Sequence, residues 1–171
     1  IHGVSQSYLS WRAQLASDQL QDFRMVAFDL RGHGNSAKPW MSKDYNDSAL
    51  WAEDVAAVIA AKKLKNPVVV TWSYGGLVLM DYIRHYGIAD IAAINLVANT
   101  GVLIDRIEDP KSSDAEIIRQ MIANQVRQQS PDIEENMASA KFSVPLLTEA
   151  NLGEAWREDS LMVTMMTPSY V

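Results

Sequence analysis

A single serine in this sequence stands where a catalytic nucleophile could be held. Ser73 follows an apolar, β-branched run, Val68–Thr71, that is typical of a buried strand, and it precedes Gly75-Gly76 and a helical segment, Leu77–Tyr86. A serine at the tip of such a strand-to-helix turn exposes its hydroxyl above the sheet edge. The amides at the helix N-terminus then face any negative charge that develops there. The spacing therefore predicts a nucleophilic serine.

The general base that such a serine needs is harder to find. A serine hydroxyl is a weak nucleophile until a base, normally a histidine, takes its proton. Three histidines are present, and His85 lies twelve residues beyond Ser73 on the same predicted helix. At about 1.5 Å per residue it is roughly 18 Å away. His2 and His33 fall in Gly-containing loops, where we predict structural hydrogen bonds rather than proton transfer. None of the three histidines is therefore predicted to act as the base for Ser73.

The overall composition excludes several other classes of function. The 171 residues carry 15 basic and 21 acidic side chains, a formal charge of −6, which argues against a nucleic-acid partner or an anionic membrane surface. Without cysteine, and with three dispersed histidines, the chain has no metal-ligand spacing, and it lacks the dinucleotide and Walker motifs. No cofactor, no metal and no membrane span are predicted. We expect a soluble protein and take the cytoplasm as its compartment, although the lack of cysteine is equally compatible with export.

The elements around Ser73 alternate between strand and helix. Phe23–Leu30 is predicted as a strand, and Ser48–Leu64 as a helix capped by Asp47. The strand before Ser73 and its helix follow, and Ile91–Val97 is a further buried strand. This alternation predicts an α/β fold, with a mostly parallel sheet flanked by helices on both faces.

The pattern changes to helices alone after residue 100. A capping box at Ser113 and Glu116 opens the first predicted helix, Ser130-Pro131 opens a second, and a third runs near Glu154–Met166. A helical block inserted after a strand is typical of a lid, and flexible methionines suit an apolar ligand surface, although each can equally fill a helical core. The block contains Met121, Met137, Met162, Met165 and Met166. We therefore predict a partial core over 1–100 and a helical cap over 101–171.

Both ends of the chain indicate a piece of a longer protein. The sequence begins at Ile1 without an initiator methionine and without a strand before the first loop. At the other end, Thr167-Pro168 has the pattern of a helix start, but the chain stops at Val171. We expect an internal fragment, with a fold that is incomplete at both ends.

Three motifs in this order resemble the α/β-hydrolase superfamily, in the branch of small esterases, lactonases and cofactor-free haloperoxidases. They are His2-Gly3, the loop Asp29–Ser36 (DLRGHGNS), and Trp72–Gly76 (WSYGG). The resemblance implies that Ser73 is the nucleophile and that the backbone N–H groups of Val4 and Tyr74 form an oxyanion hole. It also implies an acid and a histidine on strands that follow the cap, beyond Val171.

One residue departs from the family pattern. The elbow of the superfamily is Gly-x-Ser-x-Gly, because the residue two before the serine faces the residue two after it across a tight turn. Thr71 occupies the first of these positions, opposite Gly75. We therefore expect an elbow that is crowded at Thr71.

The sequence thus predicts a serine hydrolase that acts on an ester or related acyl bond of a small apolar substrate through an acyl-enzyme on Ser73. Tyr8 and Trp72 are candidate substrate-binding residues at the mouth of the pocket. Two alternatives remain open: perhydrolase or haloperoxidase activity that uses the same serine, and a non-catalytic ligand-binding receptor on the same fold. Without a base, the supplied chain itself is expected to be inactive.

Overall fold

The computed structural model describes residues 1–99, 115–148 and 150–171. The chain divides into two compact units, Ile1–Thr100 and Gly101–Val171. The first contains strands and helices, and the described part of the second contains helices without strands. No helix among the described residues is long and apolar enough to cross a membrane.

The helices of the first unit begin and end close to the predicted positions. Asp47 caps the second of them, since its carboxylate accepts a hydrogen bond from the Ala49 N–H at 2.9 Å, as predicted. The third ends at Gly87, whose φ of 80° is the left-handed conformation that glycine adopts without strain. The three are α1 (Arg12–Leu15), α2 (Ser48–Ala61) and α3 (Gly75–Tyr86), with 3₁₀ helices at Tyr8–Trp11, Asp18–Leu20 and Ser42–Asp44.

Two parallel strands form the sheet of this unit. β1 (Val68–Trp72) pairs with β2 (Ala93–Val97), with Val68 opposite Ala93 and Trp72 opposite Val97. The other edge of β1 pairs with the backbone of Ile1, whose nitrogen donates to Val70 O at 2.6 Å and whose carbonyl accepts from the Trp72 N–H at 3.0 Å. Hydrogen bonds on both edges therefore fix β1 up to the residue before Ser73.

The strand predicted at Phe23–Leu30 does not form, because this segment pairs with no other strand of the described chain. Residues 24–30 have no regular secondary structure, and no strand ladder joins them to another described segment. A strand needs a neighbour to accept and donate its backbone hydrogen bonds, and the sheet of the described chain has two strands. The C-terminal end of the segment is held instead by a side chain, because the Leu30 N–H donates to Nε2 of His2.

The core of the first unit lies between the helices and the sheet. α2 contributes every third or fourth residue to this core, which is the spacing of one helix face. Full burial of each large apolar side chain stabilises the fold by about 2 kcal/mol. The seven buried side chains are Leu30, Trp51, Ala52, Val55, Val78, Leu79 and Tyr82.

The second unit packs its helices partly through polar groups. The Asn124 side chain donates to Ser139 O at 3.1 Å and to Ser143 Oγ at 2.6 Å, and Ser139 Oγ donates back to Asn124 O at 2.8 Å. The helices are α4 (Ala115–Gln128), α5 (Ile133–Ser143) and α6 (Glu154–Met165), with a 3₁₀ helix at Val144–Leu147 between α5 and α6.

The helix starts predicted for this unit have different outcomes. The predicted capping box begins at Ser113, which lies outside the described residues. The second helix begins at Ile133 rather than at Ser130, because Asp132 accepts a hydrogen bond from the Glu134 N–H and acts as the cap. The third helix begins at Glu154, as predicted.

Candidate active site

The turn at Ser73 has a strained backbone, and Ser73 is only partly exposed. Ser73 lies between the end of β1 and the start of α3, with a φ of 50°. A non-glycine residue held in this conformation costs about 1–3 kcal/mol and persists only where its surroundings enforce it. Two backbone hydrogen bonds do so: the Ser73 N–H donates to Val97 O at 3.0 Å, and the Ser73 carbonyl accepts from the Gly76 N–H at 3.0 Å.

The two glycines at the start of α3 allow close approach by other parts of the chain. A Cβ atom on Gly75 would lie 2.6 Å from the carbonyl oxygen of Ile1 and 2.7 Å from that of His2. A Cβ atom on Gly76 would overlap the side chain of Asn99. The first contact brings the beginning of the chain against the N-terminus of α3, which places the His2-Gly3 loop beside the elbow.

Thr71, the residue that departs from the family pattern, has a specific partner. Its side chain is fully buried, and its hydroxyl accepts a hydrogen bond from Asn99 Nδ2 at 3.3 Å. Asn99 occupies the space that Gly76 leaves by having no side chain. The buried hydroxyl is therefore satisfied by a residue at the end of β2.

The loop after His2 lies against the serine. A Cβ atom on Gly3 would be 3.2 Å from Ser73 Cβ and 3.3 Å from Cε3 of Trp72. Val4 follows in a turn that is closed by the Gln6 N–H donating to Gly3 O at 3.3 Å. The turn thus carries the Val4 amide next to the residue that contacts the elbow.

Two backbone amides in the segments next to Ser73 have no hydrogen-bond acceptor among the described residues. Within the described part of the chain, no acceptor is found for the N–H of Val4 or of Tyr74, nor a partner for the Ser73 hydroxyl. The Tyr74 ring points into the core and packs edge-on against Trp51, with centroids 5.6 Å apart, so burial raises the pKa of its phenol. Its side chain is therefore committed to packing while its amide is unpaired.

His2 is held by hydrogen bonds at both ring nitrogens. Its Nε2 accepts from the Leu30 N–H at 2.9 Å, so the proton must be on Nδ1, which donates to Gly3 O at 2.8 Å. The ring is fully buried, and burial lowers its pKa to about 4. A neutral imidazole with both nitrogens occupied cannot take a proton from Ser73.

The other two histidines each make one hydrogen bond, to residues other than Ser73. Nδ1 of His33 donates to Arg31 O at 2.8 Å, and burial lowers the pKa of this ring as well. His85 lies near the C-terminal end of α3, where its Nε2 is 2.9 Å from Ser48 Oγ. All three histidines of the sequence are thus placed, and the structural roles predicted for His2 and His33 agree with these contacts.

Asp29 is a residue of this region that the sequence reasoning missed. Its carboxylate accepts from the Tyr8 N–H at 2.7 Å and from the Asn35 N–H at 2.8 Å, and its carbonyl accepts from Ser36 Oγ at 2.6 Å. A carboxylate that follows an apolar run and precedes a glycine-rich loop is the signal that could have identified it. Asp29 joins the loop that carries Val4 to the loop Arg31–Ser36.

Arg31 fixes the second of these loops to α2. Its guanidinium makes two hydrogen bonds to the Asp54 carboxylate, at 2.6 and 2.9 Å, and donates to the carbonyls of Asp44 and Leu50. The hydrogen bond to Asp54 is the main reason that the pKa of Arg31 is raised. Arg31 therefore anchors this loop to the N-terminal half of α2 and to the segment before it.

The two candidate substrate-binding residues differ in their placement. Trp72 is half-buried, and its ring lies beside Gly3 at the elbow. Tyr8 is exposed, begins a 3₁₀ helix, and is tied through its backbone to Asp29. The structure therefore brings together Trp72, Ser73, Tyr74 and the loop that contains Val4, whereas Tyr8 is anchored to the end of the segment 24–30.

Known proteins with similar sequences include hydrolases and esterases. An AB hydrolase superfamily protein, YisY, from Bacillus subtilis is 31% identical over 98 residues, 57% of this chain and 35% of that protein. A bifunctional esterase/perhydrolase, DCH, from Acinetobacter calcoaceticus is 34% identical over 107 residues, 63% of this chain and 38% of that protein. The chain thus spans little more than a third of the length of these two relatives.

The similarity extends to solved structures and to a family model. The esterase RhEst1 from Rhodococcus sp. ECU1013 aligns with a TM-score of 0.80 and 31% identity, over 99% of this chain and 60% of that chain. The model described as the alpha/beta hydrolase family matches residues 1–167. These matches confirm the predicted fold and the resemblance seen in the motifs, and the chain belongs to the alpha/beta hydrolase family.

Proposed function

We propose that the protein containing this chain is a serine hydrolase that cleaves an ester or related acyl bond of a small apolar substrate through an acyl-enzyme on Ser73. One observation carries this proposal. The Ser73 backbone is held at a φ of 50° beside Gly3, with the unpaired amides of Val4 and Tyr74 in the two segments that meet there. The names of the relatives, an esterase/perhydrolase and an esterase, support the same chemistry.

The proposed reaction begins with attack by Ser73 Oγ on the substrate carbonyl carbon. The new C–O bond pushes an electron pair onto the carbonyl oxygen, and the N–H groups of Val4 and Tyr74 stabilise this oxyanion. In such sites each donor contributes about 3 kcal/mol to transition-state stability. The Ser73 proton passes to a base and then to the leaving alkoxide, and water later releases the acid. We expect the base after Val171, as in the order of the superfamily.

We propose that the 171-residue chain lacks triad-level hydrolysis by itself. His2 has both ring nitrogens hydrogen-bonded, His33 donates its Nδ1 proton to Arg31 O, and His85 lies at the far end of α3. Ester hydrolysis by the 171-residue chain at a rate typical of a serine hydrolase would contradict this prediction.

The helical unit, 101–171, is proposed as the cap of the hydrolase. Its described helices expose several methionines, among them Met121 and Met162, with 44% and 66% of their surface accessible. Unbranched thioether side chains adapt to ligands of different shape, which suits a surface that covers apolar substrates. Tyr8 and Trp72 are proposed as the contributions of the first unit to substrate binding.

The experiment that tests this proposal is ester turnover by the intact protein and its Ser73→Ala variant. With p-nitrophenyl acetate and butyrate as substrates, we expect kcat/KM to fall by about 10⁴-fold or more in the variant, because the covalent step is lost. Ser42→Ala is the matched control, since Ser42 is an exposed serine of the same unit whose side chain is far from the elbow in sequence. Equal loss of activity in the control, or none in Ser73→Ala, would contradict the proposal.

Perhydrolysis is a second candidate activity, favoured by the relative that is named an esterase/perhydrolase. It would use the same acyl-enzyme, with hydrogen peroxide instead of water attacking the acyl carbon and a peracid as product. Peracid formation from acetate and hydrogen peroxide, lost in Ser73→Ala, would support it. Ligand binding by the intact protein without any turnover would instead indicate a receptor.

A further inference from the structure

The peptide group between Gly3 and Val4 connects a buried side chain to the proposed oxyanion hole. In a trans peptide the carbonyl oxygen and the amide hydrogen point in opposite directions from one rigid plane. The Gly3 oxygen and the Val4 N–H belong to this one plane. A group that fixes the direction of the oxygen therefore also fixes the direction in which the Val4 N–H points.

His2 is the side chain that holds this oxygen. Its Nδ1–H donates to Gly3 O at 2.8 Å, which is shorter than the 3.3 Å contact from the Gln6 N–H to the same oxygen. The ring cannot turn over to present its other nitrogen, because Nε2 accepts from the Leu30 N–H at 2.9 Å and the ring is fully buried. Leu30 thus selects the tautomer of His2 that can donate to Gly3 O.

The geometry points to His2 as a positioning residue for the oxyanion hole, acting through the Gly3–Val4 peptide. This inference rests on the proposed function of Val4 as an oxyanion donor. The chain of contacts runs from Leu30 through the imidazole to Gly3, and Gly3 lies against Ser73. A donor to the carbonyl also polarises the peptide, which strengthens its N–H as a hydrogen-bond donor.

Two substitutions at His2 separate its two hydrogen bonds. In His2→Asn, the amide nitrogen can occupy the place of Nδ1 and donate to Gly3 O, while the hydrogen bond from Leu30 is lost. In His2→Gln, the amide oxygen can reach the place of Nε2 and accept from the Leu30 N–H, while the donor to Gly3 O is lost. Each variant removes one buried hydrogen bond, so a merely structural role predicts similar effects on activity.

The test is steady-state kinetics of ester hydrolysis by the intact protein and these two variants, with thermal unfolding measured in parallel. We expect His2→Gln to lower kcat by about 100-fold with little change in KM, the loss typical of a misplaced catalytic group. His2→Asn is expected to lower kcat by less than about 10-fold. Equal kcat values for folded His2→Asn and His2→Gln would overturn the inference.

A measurement on the wild-type protein keeps the inference testable if a variant does not fold. Nitrogen NMR of ¹⁵N-histidine-labelled protein reports which ring nitrogen carries the proton. We expect Nδ1 of His2 to be protonated and Nε2 to be bare, and a proton on Nε2 would overturn the inference. An active wild type with indistinguishable His2 variants overturns the positioning role alone, whereas a wild type without ester turnover overturns the proposed function as well.

Discussion

The two units of this chain differ in how many apolar side chains they bury, while the described residues of each bury six polar ones. In the first unit, seven apolar side chains form one cluster, and the backbone of Ile1 and His2 packs directly on Gly75. In the described part of the second unit, the buried apolar side chains are Ala140, Val144 and Val163, against six buried polar ones.

This difference indicates different mechanical properties. A nucleophile and its oxyanion donors must be held to within a fraction of an ångström, and close packing of backbone on backbone provides that rigidity. A surface that accommodates varied apolar groups needs side chains that can repack, and exposed methionines provide this. The comparison therefore fits the proposal that the first unit holds Ser73 rigidly and that the second presents an adaptable surface.

The largest expected effect comes from the core of the first unit. Leu79→Ala removes a fully buried side chain of α3 and should lower the free energy of unfolding by about 4 kcal/mol. Met80→Ala is the matched control on the next residue, half exposed, and should cost less than about 0.5 kcal/mol. Urea unfolding followed by tryptophan fluorescence measures both. Similar losses for the two variants would show that the apolar cluster does not dominate this unit.

Acid should destabilise the first unit and not the second. Burial lowers the pKa of His2 from its ordinary 6.5 to about 4; His33 lowers it slightly further, and the hydrogen bond to Gly3 and the charge of Asp29 partly oppose this. Between these two values the unfolded chain binds a proton that the folded chain does not, so stability is lost as pH falls from 6.5 towards 4. At 1.36 kcal/mol per pKa unit, the loss reaches about 3 kcal/mol.

Hydrogen exchange with mass spectrometry, corrected for intrinsic rates, measures this effect separately in each unit. Peptides around Leu30 should lose protection as pH falls from 7 to 5, whereas peptides of α5 should change little because residues 101–171 contain no histidine. The change should be smaller in His2→Asn. Equal acid sensitivity of the two units would contradict the prediction that His2 makes the first unit the acid-sensitive one.

Two glycines provide a smaller contrast between the units. Gly75→Ala places a Cβ atom 2.6 Å from the Ile1 carbonyl and should cost about 2 kcal/mol together with most of the esterase activity. Gly153→Ala meets nothing within 4 Å and should cost about 1 kcal/mol through its φ of 83° alone. Thermal unfolding and ester turnover of the intact variants measure both effects. Full activity in Gly75→Ala would show that the elbow tolerates displacement of the first loop.

Local features were predictable from the sequence because neighbouring residues determine them. The Asp47 cap, the end of α3 at Gly87 and the turn at Ser73 each depend on a few consecutive residues. The pairing of residues 24–30 was not predictable in this way, because a strand pattern shows that a segment is extended but not whether a partner lies beside it.

The contacts that support the candidate site are long-range, and this is why the sequence did not reveal them. His2 meets Leu30 and Asn99 meets Thr71, each across 28 residues of sequence. The motif His2-Gly3 indicated that the loop matters, but not that the imidazole holds the peptide that follows Gly3. The sequence showed that Thr71 departs from the family pattern, while its partner Asn99 could be found only in the fold.

The central claim is that Ser73 is the nucleophile, and covalent labelling tests it most directly. The intact protein is treated with a fluorophosphonate probe, and the modified residue is located by mass spectrometry of the digested protein. The account predicts one modified residue, Ser73, and no labelling of Ser73→Ala under the same conditions. Labelling of another serine, or a folded wild-type protein that remains unmodified, would contradict it.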